Sequence, residues 1–110
     1  RMLGLMRAKE LIYAGRVLTG QEAVEIGLAL KCFPIESLLA ETKEFAEMLG
    51  EKAPISIQFA KKRLQDATVL DLGTVLDLET DAIVSCMDTE DWHEGTIAFN
   101  EKRKPIYKGK

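Results

Sequence analysis

The residues with reactive side chains in this chain are few, and their spacing is the first question. Cys32 and Cys86 stand far apart, with no CxxC pair and no histidine at metal-ligand spacing. That pattern argues against a zinc site and against a disulfide scaffold, and it fits two reduced thiols. A thiol nucleophile would need a base, and the single histidine is His93. His93 sits among Glu90, Asp91 and Glu94, where acids suit the positive end of a helix. It reads as a surface histidine at a helix start, not as part of a Ser-His-Asp triad. Glu79 interrupts an otherwise apolar helical face. A lone carboxylate there is either a proton-transfer group with a raised pKa or a partly exposed, paired side chain. The second is the ordinary outcome. Lys61, Lys62 and Arg63 form a basic run off an apolar stripe, which a solvated helix face explains. The sequence contains no GxGxxG or GxxxxGK[ST] phosphate loop, no GxSxG elbow and no HExxH pair.

The elements that must carry these residues are short helices. Leu5, Ala8, Leu11 and Ile12 recur at helical spacing, and Gly15 is a natural stop. Thr19 and Glu22 form a capping box for a helix from Gly20 to about Ile26, ended by Gly27. Leu28 to Phe33 suits one short strand or an extended link before Pro34. A helix should begin near Ser37, with Leu38, Phe45 and Leu49 on one face, and end at Gly50. Pro54 suits the first turn of the next, striped by Ile57, Ala60, Leu64 and Ala67. Leu72, Val75, Leu76, Ile83 and Cys86 mark a fifth helix. Asp91 and Glu94 have the spacing of a second capping box, opening a helix that runs to about Arg103 and is stopped by Pro105. Gly95 in its first turn lowers helix propensity, which close backbone packing would justify. The expected fold class is therefore mostly α: about six short helices with at most one short strand.

Composition agrees with a single soluble-type domain. The chain has 110 residues, 46% of them hydrophobic and 30% charged. No apolar run approaches the roughly 20 residues of a membrane-spanning helix. The net charge is −3, unevenly spread. Lys102, Arg103, Lys104, Lys108 and Lys110 fall in the last nine residues; subtracting their five charges leaves −8 on residues 1–101. An acidic body without a basic recognition helix argues against a helix-turn-helix DNA binder. On charge alone the basic tail is a solvated terminus, or a contact for phosphate or an acidic partner. The chain opens on Arg1 with Leu3 and Leu5 close behind, which reads as a chain entered in mid-domain. A cytoplasmic setting is expected, with any targeting signal of a longer protein out of view. Several apolar stripes need more partners than one small helical layer provides.

The order of motifs adds a resemblance. GLMRAKELIYAGRVLTGQEAVEIGLALKCFP resembles the run of a helix, an LTG turn, an EA-bearing helix and a GLV-type segment in enoyl-CoA hydratase/isomerase (crotonase-family) proteins. AETKEFAEMLGEKAP and IQFAKKRL follow, with Lys61 where the family often has lysine, then LDLET, with Glu79 at a recurrent family glutamate. Most specific is DTEDWHEGTIAFNEKRKPIYKGK, where Asp91, Glu94, Gly95, Ala98, Phe99, Glu101, Lys102, Arg103 and Pro105 all match the family ending. Ala29 stands where the family prefers Val, and Tyr107 where it prefers Phe.

The resemblance implies the C-terminal helical portion of a larger α/β spiral enzyme. Residues 1–34 would end its core: a helix, a capped helix and a short extended segment. Residues 35–110 would form the C-terminal helical domain for oligomerisation and for covering coenzyme A. The family's oxyanion-hole amides and catalytic glutamates lie upstream of Arg1, so no catalytic residue and no metal ligand carries over. Phe99 matches a position that packs on the acyl or pantetheine end; plain core packing is its alternative. Lys102 matches one that reaches a CoA phosphate; a solvated charge is its alternative. The reaction implied for the full-length protein is reversible addition of water to a 2-enoyl-CoA, favoured over double-bond isomerisation by the EKRxP ending. Acyl-CoA is then the substrate, no separate cofactor is implied, and a homotrimer or hexamer is expected, with no nucleic-acid or membrane partner. A stand-alone helical assembly module without activity is the alternative from another class.

Overall fold

A computed structural model describes residues 1–110. It holds six helices and no strand: α1 (Gly4–Tyr13), α2 (Gly20–Glu25), α3 (Ile35–Gly50), α4 (Pro54–Asp66), α5 (Leu72–Met87) and α6 (Glu90–Glu101). The chain forms two compact units, Arg1–Phe45 and Ala46–Lys110. The division falls within α3, whereas the sequence motifs suggest one after Pro34.

In the first unit the local signals decide the structure. α1 stops where Gly15 turns left-handed at φ +58°. The Thr19 hydroxyl accepts from the Glu22 amide at 3.2 Å, and the Thr19 amide donates back to the Glu22 carboxylate at 2.9 Å. Arg16 adds a 2.8 Å ion pair to Glu22. The Thr19 backbone bond, then its hydroxyl, then Arg16 pull the Glu22 carboxyl down to about 2. Gly27, at φ +77°, closes α2. Residues 28–34 form no strand and run as a link. A strand needs a partner to satisfy its amides, and the chain contains no second one. Lys31 lies 4.8 Å from the Phe45 ring centre and 6.0 Å from that of Phe33, within cation–π range.

The second unit packs α4 on α5 and α5 on α6. Pro54 opens α4, where its missing N–H costs nothing. Asp71 caps α5 through the Thr74 amide at 3.0 Å. The core is small. Only Ala82, Cys86 and Ala98 are buried apolar residues, while Leu64, Leu72, Leu76, Ile83 and Val84 are exposed on α4 and α5. The Ser56 hydroxyl contacts buried Cys86 Sγ at 3.5 Å, and Cys32 is exposed. No helix is long and apolar enough to cross a membrane.

The start of α6 corrects the sequence reading. Asp91 and Glu94 do not form a capping box. Thr89 is the N-cap, its hydroxyl accepting from the Trp92 amide at 3.1 Å. Asp91 is 3% exposed and accepts from the backbone amides of Lys108 at 2.7 Å and Gly109 at 2.8 Å. Both acids are claimed by the returning C-terminal tail, a partner that a local spacing rule does not see. The end of α6 is corrected too. The helix stops at Glu101, before Pro105, because Lys102 takes the left-handed conformation at φ 55°.

Candidate ligand-binding face of the last helix

The tail folds back along α6 and is fastened at three levels. Nearest the start of α6, Asp91 holds the amides of Lys108 and Gly109, and its own amide donates to the Lys110 carbonyl at 3.1 Å. One turn on, Glu94 takes Arg103 in a two-pronged ion pair, Nη1 to Oε1 at 2.6 Å and Nη2 to Oε2 at 2.9 Å. Glu94 also accepts from the Ile106 amide at 2.8 Å. Beside it, the Tyr107 ring covers Gly95, with its hydroxyl 3.1 Å from where a Cβ would stand. Gly95 is therefore a close-packing glycine, as its cost in helix propensity suggests.

Electrostatics follow this geometry. The Arg103 side chain, then the Ile106 amide, hold the Glu94 carboxyl at about 2 against an ordinary 4.5. The paired acids Glu94 and Glu101 raise Arg103 further above its usual range. Because the Glu94 value is depressed in the folded state, its contribution is fully present above about pH 4.5 and fades as pH falls toward 2. Acidification through that window is expected to loosen the tail, read as a lower protection factor of the Ile106 amide relative to its intrinsic exchange rate at each pH. Glu94→Gln should remove that part of the pH dependence. An Ile106 amide equally protected at pH 5 and pH 2.5 would contradict it.

The packing under Tyr107 makes another expectation. Gly95→Ala gains about 1 kcal/mol of helix propensity but pushes on the Tyr107 hydroxyl. It should lower the unfolding midpoint in the native background and raise it when Tyr107→Phe has removed that hydroxyl. Equal effects in the two backgrounds would show that the ring is not the obstacle.

A cavity of about 510 Å³ borders this face, lined by Ser56, Trp92, Gly95, Thr96, Phe99 and Tyr107 among others. Phe99 is 84% exposed, so it does not serve the core. Lys102 is exposed but does not line the cavity; its amide donates to the Phe99 carbonyl at 3.2 Å. The structure thus puts the two candidate site residues on the same last turn without joining them in one pocket.

A second cavity of about 500 Å³ lies between α4 and α5, lined by Phe59, Arg63, Leu64, Glu79, Ile83 and Trp92 among others. Glu79 is exposed at its wall, the ordinary reading of that residue. Lys61 and Lys62 are solvated as expected. Arg63 is not: its side chain is 13% exposed, Nη2 meets Asp66 at 3.3 Å, and Nε is buried without a hydrogen-bond partner. The basic run therefore divides, Arg63 packing beside the stripe residue Leu64 while Lys61 and Lys62 stay in solvent. His93 is exposed in the first turn of α6, as expected.

A helical unit whose last helix is strapped by its own tail, with the strap built from the Asp-x-x-Glu-Gly and Glu-Lys-Arg-x-Pro residues, is the class of structure this site defines. Comparison with known proteins identifies it. The family model for enoyl-CoA hydratase/isomerase matches residues 1–110, and the chain belongs to that family. Among its relatives, a putative enoyl-CoA hydratase/isomerase (YngF) of Bacillus subtilis is 38% identical over 109 residues, covering 99% of this chain and 42% of the relative. A short-chain-enoyl-CoA hydratase of Clostridioides difficile is 30% identical over 99 residues, 90% of this chain and 64% of the relative. The crystal structure of an enoyl-CoA hydratase from Bacillus anthracis superposes with a TM-score of 0.94 at 40% identity, over 99% of this chain and 42% of that one. The chain spans less than two thirds of these relatives' length.

Proposed function

We propose that this chain is the substrate-covering and subunit-contacting helical portion of an enoyl-CoA hydratase, placed at the C-terminal end of the full-length protein. The single observation that carries the binding role is the contrast on α6 between Ala98, 1% exposed, and Phe99, 84% exposed at a cavity wall. Packing within residues 1–110 does not bury Phe99, and an apolar ligand would. Lys102 is read as the cation for a CoA phosphate, a point charge that phosphate tolerates from several directions. The C-terminal placement rests on the DTEDWHEGTIAFNEKRKPIYKGK motif, and the division of labour after Pro34 on the motif order. In the full-length protein, carboxylates outside this chain would add water oxygen to Cβ of a 2-enoyl-CoA and a proton to Cα. Aimed amides would stabilise the enolate oxygen between those steps.

The test is turnover of a short 2-enoyl-CoA, followed as loss of the conjugated thioester's absorbance. The protein expressed from its complete coding sequence should hydrate it; residues 1–110 alone should not. Turnover by the pure chain would overturn the assignment of catalysis elsewhere. Migration of the double bond without hydration would replace hydratase by isomerase.

The exposed apolar faces of α4 and α5 favour a second role, assembly. A trimer or hexamer in sedimentation of the full-length protein is expected. A monomer would assign those faces to the rest of its own chain.

A further inference from the structure

Five residues in this chain have positive φ, and four are glycine; the fifth is Lys102. At the left-handed position after a helix, glycine is the favoured residue, and a lysine there works against local conformational preference. Interaction of a cation with the helix end does not explain it. That attraction needs only a nearby positive charge, and Arg103 and Lys104 follow at once. The surroundings hold the conformation in place. The Arg103 amide donates back to the Ala98 carbonyl at 3.0 Å. Its guanidinium spans the residues on both sides of Lys102, binding Glu101 through Nε at 2.6 Å and the Lys104 carbonyl at 3.3 Å. The same guanidinium is anchored to the body of α6 by Glu94. Lys102 itself is exposed, and its ammonium enters none of these pairs.

We infer that Arg103 and Glu94 are positioning residues, which lock the left-handed turn so that the Lys102 ammonium is presented to the phosphate of a nucleotide-bearing thioester carrier. The inference rests on the reading of Lys102 as a phosphate contact and adds the device that aims it. A fixed turn reduces the ordering a flexible lysine must undergo on binding. The Lys102 share of recognition then depends on the carrier's nucleotide half, separately from any contact with its pantetheine arm.

The experiment measures affinity for CoA and for pantetheine by calorimetry, with melting temperature alongside, in the protein expressed from its complete coding sequence. Lys102→Gly should leave melting temperature equal or higher, since glycine suits the turn, while the preference for CoA falls about tenfold. Glu94→Gln and Arg103→Lys should each lower that preference severalfold, and Glu94→Asp should restore part of it. Added to Lys102→Gly, Glu94→Gln should lower the preference no further, as expected for residues acting through one another. An unchanged preference in Lys102→Gly would refute the phosphate contact itself. A shift in Lys102→Gly with none in Glu94→Gln and Arg103→Lys would refute the positioning device alone. If Glu94→Gln weakens both ligands alike, or loses the fold while Arg103→Lys keeps a native preference, the strap is only structural and the inference fails.

Discussion

Replacing Asp91 by alanine is expected to free the C-terminal tail and to lower stability by about 2–4 kcal/mol, one of the largest losses available to a single substitution in this chain. Asp91 is the only buried charged residue, 3% exposed, and both its oxygens are used. Hydrogen bonds to a charged group contribute about 1.5–3 kcal/mol each, and here there are two, to Lys108 and Gly109. The sum is an upper bound, because the released amides would find water once the tail lifts. Asp91→Asn keeps the shape but loses the charge, and should fall between. The check is the denaturant midpoint in the protein expressed from its complete coding sequence, with hydrogen exchange at Lys108 and Gly109. An unchanged midpoint with both amides still protected would show that the tail is held by something else.

The same residue shows where sequence reading stops. Thr19 and Glu22 were legible because both halves of their capping box lie within one turn and need no tertiary partner. Asp91 and Glu94 repeat that spacing but do not cap, because their partners lie beyond the end of the helix, at Lys108, Gly109, Arg103 and Ile106. Nothing local separates an acid that caps from one that binds a returning strand of backbone. Gly95 was legible as a close-packing site without its partner, since the propensity cost says that something approaches but does not say Tyr107. Helix number and order were legible because Gly15, Gly27, Gly50 and Pro54 punctuate the chain. The left-handed Lys102 was not, because residue type argues against that conformation. Phe99 and Lys102 are candidates through the resemblance alone. Phe99 has no periodic reason to stand out from the apolar residues around it.

Neighbouring substitutions on α6 should therefore give opposite results. Ala98 is 1% exposed, inside the contact of the last helix with its unit, and Ala98→Leu forces three extra carbons into a closed space. Overpacking of that kind costs about 1–3 kcal/mol, and the unfolding midpoint should fall accordingly. Phe99→Ala removes a far larger side chain, yet Phe99 is 84% exposed, and an exposed position usually changes stability by no more than about 0.5 kcal/mol. On the proposed binding role, its effect falls on affinity. Loss of apolar contact with an acyl or pantetheine chain should raise the Michaelis constant about tenfold, equivalent to about 1.4 kcal/mol. Turnover should change less, since that contact is made alike in the ground and transition states. Both variants need stability and kinetics measured side by side in the protein expressed from its complete coding sequence. A Phe99→Ala protein that melts early with an unchanged Michaelis constant would return Phe99 to structure, covered by parts of the protein outside residues 1–110. A stable Phe99→Ala protein that binds its thioester poorly would tie the exposed ring to the ligand, and with it the reason α6 turns a phenylalanine away from its own core.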